Sequence, residues 1–137
     1  MTCIFLMKKE RKQLKFSRIK MSSRSTQNLS LIKNKTGLTP NILARFAICM
    51  SIKDRSMPNP EEYNMEGSEL TPNVLFGEHE QIYLALMLTR LKTDKLDPEL
   101  YLNKMTRAHL NRGVKALFPR INDLSDFYEL VKEERNV

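Results

Sequence analysis

Cationic and apolar residues alternate in one short run of this chain. In residues 16–22, FSRIKMS, an extended backbone would place Arg18, Lys20 and Ser22 on one side and Ser17, Ile19 and Met21 on the other. Arg and Lys on such an edge can pair with phosphate or with base edges, and Ser can hydrogen-bond to either. A second anion-type feature is predicted at Thr39-Pro40-Asn41. Thr39 would be an N-cap and Pro40 the first helical residue, leaving free backbone N–H groups for a phosphate. Arg24, Lys33 and Lys35 lie between the two features and complete a candidate DNA-binding set.

The residues that could do covalent or metal chemistry are few. The chain has two cysteines and two histidines, with no CxxC or Cys/His ligand spacing. Cys49 sits in an apolar helical pattern and reads as a small core residue. His79 is flanked by Glu78 and Glu80, which point away from it on a helix. His109 reads as an interface or partly buried polar residue. Arg107, Arg112 and Lys115 could form a second basic strip, although a solvated helix face is the better reading. Glu61-Glu62 and Glu133-Glu134 are adjacent acids of the kind that are usually solvated. No Walker, Rossmann, HExxH or GxSxG pattern occurs, so no catalytic, metal or cofactor role is expected.

The elements that must position the cationic residues follow from local signals. Residues 16–22 are predicted as a short strand with no evident partner in the chain. Ser25 is predicted to cap a helix running to about Thr36, with Gly37 just past its end, where positive φ is easiest for glycine. Leu38 can pack back on that helix. The next helix is predicted from Pro40 to about Lys53, with Leu43, Phe46, Ala47 and Met50 as its apolar stripe. Residues 54–73 hold three prolines and read as a long linker, a candidate hinge, with one extended piece near residues 69–71. Residues 78–92 include IYLALML, a helix apolar nearly all round and therefore predicted to be central. Asp97-Pro98 opens another helix to about Phe118, weakened by Gly113 and ended by Pro119. A last helix is predicted from Ser125, with Phe127, Leu130 and Val131 inward.

Composition agrees with a mainly helical single unit. The chain has 137 residues, 41% hydrophobic, with only four glycines. Net charge is +7, unevenly spread. Residues 1–35 hold ten bases and one acid, whereas the remainder holds thirteen bases and fifteen acids. A basic arm on a near-neutral body is the footprint of a polyanion binder, its competing reading being a solvated charged tail. The apolar run at residues 3–7 is too short for a signal core or a spanning helix. Residues 1–15 are read as a flexible basic extension. Low cysteine usage fits a reducing cytoplasm, and no membrane association is expected.

Strand, helix, tight turn, helix over residues 16–53 is the order of a ribbon-helix-helix module. There, two chains pair their strands into a ribbon that enters the major groove. The fold class expected is therefore mainly α: a ribbon-helix-helix-like N-terminal module at 16–53, the linker at 54–73 and a helical half at 74–137. Strand pairing across a two-fold, sealed by the helix at residues 40–53, would make a homo-oligomer.

Three ordered blocks, KTGLTPNILARFAICMSI, LFGEHEQIYLALMLTRL and RAHLNRGVKAL, resemble the DndE family over roughly residues 16–130. The resemblance implies a role in DNA phosphorothioation, in which sulfur replaces a non-bridging oxygen of the DNA backbone. It implies a small helical DNA-binding component, a dimer or tetramer, working with a cysteine desulfurase, a sulfurtransferase and an ATPase. The function expected is non-catalytic engagement of duplex or nicked DNA within that complex. The alternative is a ribbon-helix-helix repressor or antitoxin, which would need little beyond residues 16–53.

Overall fold

In this computed structural model the described residues are 14–135. Residues 1–13, with Cys3 and four of the cationic residues of the basic arm, lie outside them. The described chain runs β1 (Ile19–Lys20), α1 (Ser23–Thr36), α2 (Pro40–Lys53), β2 (Glu69–Leu70), α3 (Pro72–Phe76), α4 (Glu80–Thr93), α5 (Pro98–Leu117) and α6 (Leu124–Arg135). It is mainly helical and forms one unit around a shared core.

The longest helix, α5, is the axis of the fold. Asp97 caps it by accepting a hydrogen bond from the Glu99 N–H at 3.1 Å. Leu102, Met105, Leu110, Val114 and Leu117 all lie in the core. Each such side chain contributes about 1.5–3 kcal/mol through burial. Its closest neighbour is α2, whose Ala44 and Ala47 are fully buried. Gly113 is the reason the two helices can meet: a Cβ there would lie 1.9 Å from the Ala47 carbonyl oxygen. The glycine expected to weaken α5 is therefore the point at which it packs most tightly. The buried stripe of α2 is Leu43, Ala44, Ala47, Ile48 and Ser51. That is rotated from the expected one, with Phe46 and Met50 only half-buried. Phe46 instead meets Phe127 of α6, with ring centroids 5.1 Å apart.

The turn between α1 and α2 forms as its residues dictate. Gly37 adopts φ 78° and its N–H bonds to the Lys33 carbonyl at 2.7 Å. Pro40 opens α2, although the Thr39 side chain makes no capping bond. The cap of α1 differs from expectation. Ser22, not Ser25, holds that position, and its Oγ accepts from the Ser25 N–H at 3.1 Å. Ser25 faces inward.

The strand also differs. β1 pairs antiparallel with β2, Ile19 opposite Leu70 and Lys20 opposite Glu69. Its partner is thus in the same chain, which corrects the expectation that it has none and that a second chain must supply it. The order strand, helix, turn, helix stands. Phe16 breaks the alternation because it turns into the core and meets Phe76, centroids 4.4 Å apart.

Three arginines pin the segment read as a hinge. Arg90 donates to the Ile52, Arg55 and Ser56 carbonyls at 2.7, 3.1 and 2.7 Å, and pairs with Asp94 at 2.9 Å. Arg112 donates to the Ser51 and Ser56 carbonyls at 2.6 and 2.8 Å. Arg107 donates to the Lys20 and Tyr63 carbonyls at 2.7 and 3.0 Å, and also to that of Asn64. Arg107 and Arg112 are therefore structural side chains, not a solvated strip. Part of the expected linker is helical: Thr71 caps α3 by accepting from the Val74 N–H, and Leu75 and Phe76 are fully buried.

Helix α4 begins later than expected, at Glu80, after a tight turn over Gly77–His79. It is not the central helix. Met87 and Leu91 are buried, but Ile82 is 60% exposed and Leu86 40%. No helix among the described residues is long and apolar enough to cross a membrane.

Candidate nucleic-acid interface

The structure puts Arg18 and Lys20 on the exposed side of β1, as the alternation requires. Arg24, in the first turn of α1, is also exposed. Arg18 pairs with Glu69 across the two-stranded sheet at 3.5 Å, with both side chains largely in solvent. Such a pair is worth little and can be exchanged for another anion. No described carboxylate lies within 4 Å of Lys20, Arg24 or Lys33.

Lys33 and Lys35 lie at the far end of α1, both exposed. Arg24 and Lys35 are eleven residues apart, close to three full turns, so they share one stripe about 16 Å long. Lys33 falls roughly half a turn away from that stripe. Lys35 lies over the Phe118 ring, 5.6 Å from its centroid. That holds the ammonium near the surface of the fold. Thr39 is exposed and Asn41 half-buried at the start of α2. The first in-helix bond there runs from the Leu43 N–H to the Thr39 carbonyl at 3.2 Å, so the Asn41 and Ile42 N–H groups precede the ladder.

Ser22 is the member of the set that the structure removes. It is 4% exposed, and its hydroxyl serves Ser25 while its N–H donates to Asn111 Oδ1 at 3.1 Å. The strand ends at Lys20, so the period-2 rule no longer applies two residues later.

A cleft of about 440 Å³ opens beside β1, between the strand, residues 60–65 and α5. Its lining joins Asn103 and Lys104 of α5 to Arg18 and Lys20, together with Tyr63 and Met65. Asn103 Oδ1 accepts from the Ser17 N–H at 2.7 Å. Lys104 pairs with the exposed Glu61 at 3.4 Å. Burial pushes the Tyr63 phenol above its ordinary pKa, and the neighbouring Glu62 adds to the shift. Of the residues lining this cleft, only Arg18 and Lys20 belong to the expected set. No local signal joins residues 18–20 to 60–65 and 103–104, because only the fold makes them neighbours.

Chemistry-bearing groups elsewhere are placed differently. Cys49 is half-buried, its Sγ 3.9 Å from the Tyr83 hydroxyl. Burial and the adjacent Cys49 push that phenol up to about 12. His109 is fully buried, with Nδ1 2.8 Å from Ser51 Oγ. Among the described residues, no group of three or more His, Cys, Asp or Glu could hold a metal ion.

Fold and surface together define a small, mainly helical protein with exposed cationic side chains along β1 and α1, where α1 carries no acidic residue. The family model described as DNA sulphur modification protein DndE matches residues 18–124, so the chain belongs to the DndE family. Solved structures agree. DndE from Escherichia coli B7A, involved in DNA phosphorothioation modification, is 27% identical and superposes with a TM-score of 0.63. The match covers 77% of this chain and 99% of that one. A DndE mutant involved in DNA phosphorothioation is also 27% identical, with a TM-score of 0.59, covering 74% of this chain and 96% of the other. No curated protein matches the sequence.

Proposed function

We propose that this chain is the non-catalytic DNA-engaging component of a DNA phosphorothioation complex. It holds duplex or nicked DNA on the β1–α1 surface while sulfurtransferase and ATPase subunits supply the chemistry. The observation that carries the reading is the exposed pair Lys20 and Arg24, which meet no described carboxylate, with Arg18 held only by an exposed pair and Lys35 on the same stripe of α1 as Arg24. Side chains of this kind bind phosphate by releasing counterions, without regard to sequence. The free N–H groups at Asn41 and Ile42 suit a further phosphate. Family membership and the phosphorothioation role of the similar structures support the assignment to that system. The repressor or antitoxin alternative has less behind it, since β1 already pairs with β2 of its own chain.

The same reading makes the protein a homo-oligomer. The strand and α2 no longer supply the contact, because both are used within the chain. The exposed apolar face of α4 takes their place. Ile82, Ala85, Leu86, Thr89 and Thr93 line a groove of about 660 Å³, with Ile52, Arg55 and Arg90 beside them. The Thr89 and Thr93 hydroxyls bond back to the Ala85 and Thr89 carbonyls, so the face is less polar than its composition. Glu78 and Glu80 stand at one end of α4, and Lys92 and Lys95 at the other. Two copies packed antiparallel across a two-fold would therefore oppose unlike charges.

DNA engagement is tested by duplex binding across a salt series. The triple variant Arg18→Ala, Lys20→Ala, Arg24→Ala should bind more weakly. Its salt slope should fall by about 0.9 for each phosphate that is no longer neutralised. Affinity and slope equal to wild type would refute the assignment of this surface.

A further inference from the structure

The cleft beside β1 has a shape and lining that phosphate binding does not require. At about 440 Å³ it lies within the range of small-ligand clefts, roughly 300–1,000 Å³, and is far too small for a duplex. Cationic residues are part of its lining: Arg18 and Lys20 at β1 and Lys104 on α5. Another wall, residues 60–65, supplies an aromatic residue, Tyr63, and the adaptable Met65. Glu61 and Glu69 also line it, each in an exposed pair with Lys104 or Arg18. Counting Arg107, four cationic residues face two carboxylates. Arg107 is committed to backbone carbonyls, which holds the Tyr63 backbone against α5 and fixes that wall. Asn103 spends its oxygen on the Ser17 N–H, and its Nδ2 remains an unused donor for a base edge.

An aromatic and an apolar residue in one cleft with cationic side chains suit the chemistry of one nucleotide, with base and phosphate recognised separately. We infer that the cleft between β1, residues 60–65 and α5 receives a single unpaired nucleotide of a DNA strand, its base against Tyr63 and its phosphate at Arg18, Lys20 and Lys104. The inference rests on the DNA-engagement reading and deepens it. The cationic surface holds the backbone of any duplex. The cleft adds a preference for a strand from which one nucleotide has left the stack, where most of the unstacking cost is already met. Stacking on an aromatic side chain tolerates any base, so the preference is for structure over sequence.

The test compares an intact duplex with the same duplex carrying a one-nucleotide bulge, 2-aminopurine being placed in the bulge or in a pair. Wild-type protein should bind the bulged duplex about tenfold more tightly, the scale of one base stacked on an aromatic ring. It should change the 2-aminopurine emission only when that base is unpaired. Tyr63→Ala should lose the preference while keeping its affinity for the intact duplex, and Tyr63→Phe should keep both. Equal affinity for the two duplexes with unchanged emission would overturn the inference while leaving DNA engagement standing. Absence of any duplex binding by the wild type would overturn both. Tighter binding of free deoxyadenosine monophosphate than of the bulged duplex would assign the cleft to a free nucleotide and overturn the strand reading. The emission change requires no variant, so a Tyr63→Ala protein that fails to fold does not remove the test.

Discussion

Ser51 serves two partners at once. Arg112 Nε donates to its Oγ at 2.8 Å, so the hydroxyl proton is free to go to His109 Nδ1. His109 is thereby held neutral with its proton on Nε2, an atom with no partner among the described residues. Burial lowers its pKa to about 3, and the nearby Arg90 and Arg112 charges act in the same direction. Because the folded-state pKa lies below the unfolded value of about 6.5, the neutral ring favours the fold. That contribution is complete above about pH 6.5 and declines as pH falls towards 3. Urea midpoints at pH 7, 5 and 4 should therefore fall stepwise. The decline should be shallower in His109→Gln. A His109→Gln protein with the same pH slope as wild type would show that other groups set it. The rest of this network is only half legible in the sequence: His109 reads as partly buried from its neighbours, whereas Arg107 and Arg112 read as solvated because arginine usually is.

At the scale of elements, the long connection between α2 and β2 owes its order to side chains outside it. Arg90, Arg107 and Arg112 come from α4 and α5 and satisfy carbonyls at residues 51–64 that a loop cannot pair within itself. Hydrogen bonds to a charged donor are each worth about 1.5–3 kcal/mol. Arg107→Ala should lower stability by about 2–4 kcal/mol, since three acceptors go unpaired together. It should also raise hydrogen exchange at residues 60–67 before that of α2 and α5. Uniform exchange across the molecule would mean that the segment is not a separate unit. Removing Arg107 would also loosen the Tyr63 wall of the cleft, so this variant belongs with the stability experiments and not with the DNA ones. Helix α3 shows what a local signal can do when it is used. Thr71-Pro72 repeats the Thr39-Pro40 pattern, yet the proline density around it favours a linker by sequence alone.

For the whole molecule, the charge imbalance and the apolar face of α4 are independent surfaces. The candidate DNA-binding residues Lys20, Arg24 and Lys35 sit on β1 and α1, and the exposed Ile82 and Leu86 on α4. Ile82→Glu with Leu86→Glu should convert an assembly into monomers at micromolar concentration, read by sedimentation, with the fold intact by circular dichroism. Wild-type protein that sediments as a monomer would remove α4 as a contact. Apparent DNA affinity should fall in the same variant, because an assembly presents several cationic surfaces to one duplex.

What the residues determine by themselves is local. Gly37 ends α1, Pro40 opens α2 and Asp97-Pro98 opens α5 because caps and proline act within about one turn. The charge asymmetry is likewise a property of the chain alone, and three ordered sequence blocks suffice to place it in its family. The tertiary structure decided everything that depends on residues far apart. Ile19 and Leu70 pair across about fifty positions, and nothing near either announces the other. Burial of Ser22 follows from the α1 cap and Asn111, and burial of His109 from α2 crossing α5 at Gly113. Helix α4 looks central by hydrophobicity, but a helix becomes central through the partners that cover it. Here α5 takes that place because its glycine admits the α2 backbone, leaving one side of α4 uncovered.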